Sequence, residues 1–144
     1  MTRQGMILWL IFAAFVAAAV ALEWGPNLLD FQGAAAGKLV FWAAFVAFTA
    51  YSFYCTTQEN LFATLGKMSQ LHWGRQIGID LYIGLLILMF VVWLNDASPA
   101  ILLFWLVPTL IYANLTTLLY FALNYDEIVA KLGGAALASQ SVGL

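Results

Sequence analysis

The sequence predicts an all-α fold, an integral membrane four-helix bundle with both termini on the cytoplasmic side. The first observation is composition, because 65% of the 144 residues are hydrophobic and only 8% are charged. A soluble domain is about 45–50% apolar and about 25% charged, so a soluble chain this short could not bury so much apolar surface. The second observation is that the apolar residues fall into four runs, each near the roughly 20 residues that cross a bilayer.

Each run is interpreted as a membrane-spanning helix, because backbone groups in lipid need internal hydrogen bonds. The runs cover residues 6–22, 39–55, 77–94 and 101–123 of a single domain, residues 1–132. We expect the first run to be retained, although its positive start and Ala-Val-Ala ending also fit a cleaved signal peptide. The short turn "NDASPA" makes the last two helices an antiparallel hairpin, and Pro108 is expected to kink the fourth. Residues 133–144 are predicted to be a flexible tail.

Positive charges predict the orientation of the helices. Arg3, Lys67, Arg75 and Lys131 fall on one side of the four predicted spans, and only Lys38 falls on the other. Lys and Arg collect in cytoplasmic loops, so both termini are expected to be cytoplasmic. Tryptophans prefer membrane boundaries, and four lie near the predicted ones: Trp9, Trp24, Trp73 and Trp93.

The connection over residues 56–73 carries its own helical pattern. Apolar residues recur there at intervals of three and four, namely Leu61, Phe62, Leu65, Met68 and Leu71. This spacing predicts a short amphipathic helix in the membrane interface, bounded by Asn60 and partly broken by Gly66. The other long connection, residues 23–37, is expected to be partly helical or to lie on the surface.

Small residues predict how the spans pack. Apolar side chains gain little by leaving lipid for another helix, so small residues that permit close approach are important. The first span offers Ala13, Ala17 and Ala21, the second Ala43 and Ala47, and the third Gly74 and Gly78. We expect these stripes to form the helix interfaces, either inside the bundle or between subunits.

Polar residues near the cytoplasmic end predict the candidate site. Asp80 lies inside the third span, where a charge is costly and therefore a functional hypothesis. Gln76 shares its helix face at a spacing of four, whereas Arg75 is about 140° away around the helix. We therefore expect Arg75 to reach lipid phosphates or an acid on another segment. The predicted site has Asp80 and Glu59 as tentative catalytic acids, with these binding residues: Gln76, Asn114, Tyr51, Tyr112, Trp73 and Arg75. A structural clasp that fixes helix register is the competing interpretation.

Several kinds of site are excluded or disfavoured. One cysteine (Cys55) and one histidine (His72) cannot build a Cys/His zinc site in one chain, and no metal or cofactor is expected. Without a basic run, nucleic-acid binding has no electrostatic basis. We interpret Cys55 as an inert apolar residue and His72 as a boundary residue.

Residues 58–126 resemble a family of small bacterial four-span membrane proteins without an established activity. The similar motifs are "HWGRQIGIDLYIG", "WLNDAS" and "LLYFALNYDE". The resemblance implies a multi-pass protein of the bacterial inner (plasma) membrane. It also implies a distant similarity to integral-membrane terpene cyclases, in which Glu59 and Asp80 would be the acids that act on an isoprenoid.

Three functions follow from these features. The first is a non-enzymatic accessory subunit or lipid- or isoprenoid-binding protein, with membrane lipid as partner and a homo-oligomer or larger membrane complex as its setting. The second is a membrane-embedded enzyme, terpene-cyclase-like or an isomerase, that uses Glu59 and Asp80 in acid–base chemistry on a lipid. The third, a transporter or channel subunit, is disfavoured because no charged residue lies at the predicted midplane.

Overall fold

The computed structural model describes residues 3–23, 28, 31 and 36–141, with side chains up to residue 133. This part of the chain forms six α-helices: α1 (Arg3–Leu22), α2 (Ala36–Gln58), α3 (Leu61–Ser69), α4 (His72–Asp96), α5 (Pro99–Tyr112) and α6 (Asn114–Ser141). Helices α1, α2 and α4 are long and apolar enough to cross a membrane, and they coincide with the first three predicted spans. The all-α prediction is confirmed.

The prediction of one continuous helix over residues 101–123 is wrong, because the chain reverses at Ala113. This residue has φ 46° and ψ −118° and separates α5 from α6. Helix α5 continues past Pro108, so the proline does not cause the reversal. Threonine hydroxyls hold it instead: Thr116 Oγ1 donates to the Ala113 carbonyl and lies 2.9 Å from Thr109 Oγ1, and both threonines are buried.

Helix α6 runs antiparallel to α2 and returns to the end of the bundle where α2 begins. Phe41 stacks on Phe121 with ring centroids 5.3 Å apart. Lys38, which is only 1% exposed, forms an ion pair with Asp126. Gly37 makes this approach possible, because a Cβ there would lie 2.0 Å from the Tyr125 Oη.

These contacts define two ends of the bundle. The Asp96 end holds the end of α4, the start of α2 and Lys131, which donates to the side chain and carbonyl of Asn95. The His72 end holds the start of α4 and the start of α1, where the Leu8 carbonyl accepts from Tyr112 of α5. The prediction that Lys131 shares a side with Arg3 and Arg75 is therefore wrong.

Aromatic side chains pack α1 against its neighbours, and Gly5 and Ala19 of this helix are also buried. Phe12 lies 4.7 Å from Tyr112 and Phe15 lies 5.3 Å from Trp105, measured between ring centroids. The small-residue prediction is wrong within this chain, because the predicted stripes on α1 and α2 are exposed: Ala13, Ala17, Ala21, Ala43 and Ala47. A Cβ on Gly78 would meet nothing within 4 Å, whereas one on Gly74 would meet the Met68 carbonyl.

The short helix predicted for the connection is present as α3. Asn60 begins it, with its Oδ1 accepting from the Ala63 N–H at 3.1 Å, and Gly66 does not interrupt it. Leu61, Phe62 and Leu65 are exposed, as expected for an apolar face that lies against lipid. The predictions on Trp24 and on most of residues 23–37 lie outside the described residues. Within the predicted tail α6 continues to Ser141, and residues 142–144 lie outside the described part.

Candidate functional site

A shallow, open depression of about 400 Å³ lies on the exposed face of α4 near the His72 end. Six residues of α4 line it: His72, Arg75, Gln76, Ile79, Asp80 and Ile83. They recur at intervals of three and four and therefore share one side of the helix. The opposite side of α4 faces the core through Leu85, Leu88 and Val92. The packing of α4 thus turns the polar residues of the depression away from the bundle.

Arg75 and Asp80 both lack a partner of opposite charge among the described residues. The Arg75 Nη2 lies 2.8 Å from the His72 Nδ1. A guanidinium only donates, so the Nδ1 is the acceptor in this contact. Asp80 and Gln76 are exposed, and in the part of the chain that is described neither has a hydrogen-bond or ion-pair partner. The face therefore carries two opposite, uncompensated charges.

In the predicted membrane setting, the position of Asp80 along α4 makes the absence of a partner among the described residues costly. Trp73 and Trp93 lie about 30 Å apart along the helix axis at 1.5 Å per residue, which equals the thickness of the hydrocarbon layer. With these tryptophans at the two boundaries, Asp80 lies about 10 Å along the axis from Trp73. A carboxylate at the centre of a membrane helix costs about 2.5–3.5 kcal/mol, and less towards the boundary. A partner that neutralised Asp80 would remove part of this cost.

The other predicted site residues make contacts elsewhere. Glu59 accepts a hydrogen bond from Thr64 Oγ1 at 2.8 Å. The Tyr112 hydroxyl donates to the Leu8 carbonyl at 2.7 Å, and Tyr51 stacks on Tyr54. Asn114 is exposed at the start of α6. Trp73 is 76% exposed and is absent from the lining of the depression. The structure thus brings Arg75, Gln76 and Asp80 together, without Glu59.

A second polar cluster, at the Asp96 end, was missed in the sequence. Tyr120 donates to Asp96 Oδ2 at 2.8 Å, and Lys131 donates to Glu127 Oε1 at 2.6 Å. The pKa of Glu23 is raised, first by burial and then by the nearby negative charges of Asp96 and Glu127.

One signal could have located this cluster from the sequence. Tyr120, Asn124, Glu127 and Lys131 recur at intervals of four, three and four. This spacing places polar residues along one face of a helix. The signal is readable only when α6 is recognised as continuing well beyond residue 123. The cluster ties α6 to the end of α4, and its polar groups largely satisfy one another.

No family model, curated protein or solved structure matches this chain. Among the described residues, no group of three or more His, Cys, Asp or Glu side chains is placed to hold a metal ion. The exposed face of α4 is therefore the candidate functional surface.

Proposed function

We propose that this chain is a non-enzymatic accessory protein of the membrane that binds another membrane-spanning helix through α4. The proposed contact surface is the α4 seam, defined here as Gln76, Ile79, Ile83, Leu86, Phe90 and Trp93. Its residues alternate at intervals of three and four, which is the spacing of two helices that wrap around each other. The five apolar members are between 42% and 67% exposed.

The observation that carries this proposal is that, among the described residues, Arg75 and Asp80 have no partner of opposite charge and Gln76 has no hydrogen-bond partner. Exposed apolar side chains alone indicate only contact with lipid, and α1 and α2 have such faces too. Polar side chains in a membrane instead find partners on neighbouring helices, with about 0.6–2 kcal/mol gained per contact. A second helix on the α4 seam would supply partners that the described part of the chain does not offer.

The proposed orientation places the His72 end in the cytoplasm, with the bacterial inner membrane as location. Arg3, Lys67 and Arg75 lie at that end, against Lys38 and Lys131 at the other. The excess of positive charge supports this direction. Helix α3, with Lys67 on it, would then lie on the cytoplasmic surface.

A second candidate function is binding of a phospholipid or isoprenoid phosphate in the depression. The Arg75 guanidinium suits a phosphate, and Ile79 and Ile83 offer an apolar surface for a chain. For the enzymatic alternative, the lining of the depression includes Asp80 but not Glu59. An acid–base pair would need both groups at one enclosed substrate, so the enzymatic alternative stays a prediction.

A photo-crosslinking amino acid at Ile83 tests the proposal, with Val46 as the matched control. Val46 lies in the middle of α2, is similarly exposed and has no charged neighbour on its face. In intact membranes, we expect Ile83 to give one discrete protein adduct and Val46 to give only lipid adducts. Lipid adducts alone at both positions would exclude a bound helix, and a single enriched lipid at Ile83 would establish the lipid-binding candidate instead.

A further inference from the structure

We infer that the helix bound to the α4 seam is α4 of a second copy of this chain, inserted in the same direction. This inference depends on the proposed function, and it names the partner. Three features of α4 support it. They are the register of the seam, the positions of Arg75 and Asp80 on either side of the seam, and the absence of a partner of opposite charge for either side chain among the described residues.

The register of the seam places the two charges where two parallel copies would bring them together. Arg75 directly precedes Gln76, the first seam residue, and Asp80 directly follows Ile79, the second. The two side chains therefore flank the seam on opposite sides. Five residues separate them, or about 140° around one helix at 3.6 residues per turn, so they cannot pair within one α4.

Across two parallel helices the same separation becomes favourable. When two helices pack in parallel, a residue that flanks the seam, such as Arg75, faces the residue five positions further along the other helix, here Asp80. Arg75 of each copy would then meet Asp80 of the other, giving two equivalent ion pairs by two-fold symmetry. Only one Arg75 nitrogen contacts His72, so the remaining N–H groups of the guanidinium can reach the carboxylate.

The rest of the seam is also self-complementary. At the symmetry axis Gln76 would meet Gln76 of the second copy, and an amide both donates and accepts hydrogen bonds. The apolar members are three branched aliphatic side chains followed by two aromatic ones, Phe90 and Trp93, and they can interdigitate as knobs into holes. Copies inserted in opposite directions would place Arg75 and Asp80 of one near Trp93 of the other. The charges therefore select copies with one orientation.

Disulfide formation in a Cys55→Ser background tests whether the seam is an interface between copies. Ile83→Cys is the reporter and Val46→Cys is the control, both in proteoliposomes under mild oxidation. We expect a covalent dimer with Ile83→Cys, at least tenfold more than with Val46→Cys. If Ile83→Cys yields no dimer while the photo-crosslink at Ile83 yields another protein, the second copy is refuted and the proposed function stands. If neither forms, both are refuted.

Charge exchange tests the pairing itself. Arg75→Asp alone and Asp80→Arg alone each place like charges opposite each other twice, so each should lower the Ile83→Cys dimer about tenfold. The double variant exchanges the signs and should restore the dimer. Co-reconstitution of the two single variants, carrying different tags, should give the mixed dimer in preference to either homodimer. Equal impairment of the single, double and mixed samples would show that Arg75 and Asp80 do not pair.

Discussion

Gly74 gives the sharpest test of how α3 is joined to α4. A Cβ at this position would lie 2.0 Å from the carbonyl oxygen of Met68, which is backbone and cannot rotate away. An ordinary contact begins at 3.4 Å, so Gly74→Ala must open the junction by about 1.4 Å. Such overpacking costs about 1–3 kcal/mol, and the helix preference of alanine over glycine offsets about 0.5–1 kcal/mol.

Gly78→Ala is the matched control, because it has the same helix preference but a Cβ there would meet nothing within 4 Å. We expect the Gly74→Ala protein to be about 1–3 kcal/mol less stable than the Gly78→Ala protein. The measurement is equilibrium unfolding by sodium dodecyl sulfate in dodecyl maltoside micelles, followed by helical circular dichroism and tryptophan fluorescence. Equal stability of the two variants would show that α3 is not held against α4 at Met68.

Two further predictions concern Ala113 and Glu23. Ala113→Gly should raise the free energy of unfolding by about 1 kcal/mol, because φ 46° with ψ −118° strains a residue with a Cβ. The control is Ala130→Gly, at an exposed helical position of α6, which should lower the free energy of unfolding by a similar amount. A change of the same sign in both variants would contradict the strain at Ala113. Burial and the charges of Asp96 and Glu127 raise the pKa of Glu23, so the folded protein keeps this proton at pH values where the unfolded chain has lost it. Stability should therefore fall as pH rises from about 4.5 through the raised pKa, and Glu23→Gln should flatten this dependence on pH. Thermal unfolding of both proteins from pH 4 to 8 measures the difference. Parallel curves would show that Glu23 does not cause the pH dependence.

The sequence was most informative where one physical requirement dominates. Long apolar runs must be helical in lipid, and this placed α1, α2 and α4. The Asn60 side chain and the spacing of the apolar residues after it located α3. Each of these signals is local, and each depends on the environment of a single helix and not on contacts between helices.

Contacts between helices were predicted less well, because lipid and protein offer an apolar side chain similar surroundings. The alanines of α1 gave the clearer pattern, yet the rings of Phe12 and Phe15 form the contacts. The reversal at Ala113 could not be recognised in the sequence because it also depends on contacts between helices. Thr109 and Thr116 both fall inside the predicted fourth span, whereas in the structure their hydroxyls lie 2.9 Å apart between the end of α5 and the start of α6.

The reversal at Ala113 also reduces the difference in positive charge between the two ends of the bundle, which influences the direction in which a chain inserts into the membrane. A continuous fourth span would have put four of the five Lys and Arg residues at one end and Lys38 alone at the other. With α6 returning to the Asp96 end, Lys131 joins Lys38, and the excess at the His72 end falls to a single charge. Translocation machinery responds to such differences in charge. One lysine added beside Lys38 would equalise the two ends and should remove the preference for one direction of insertion.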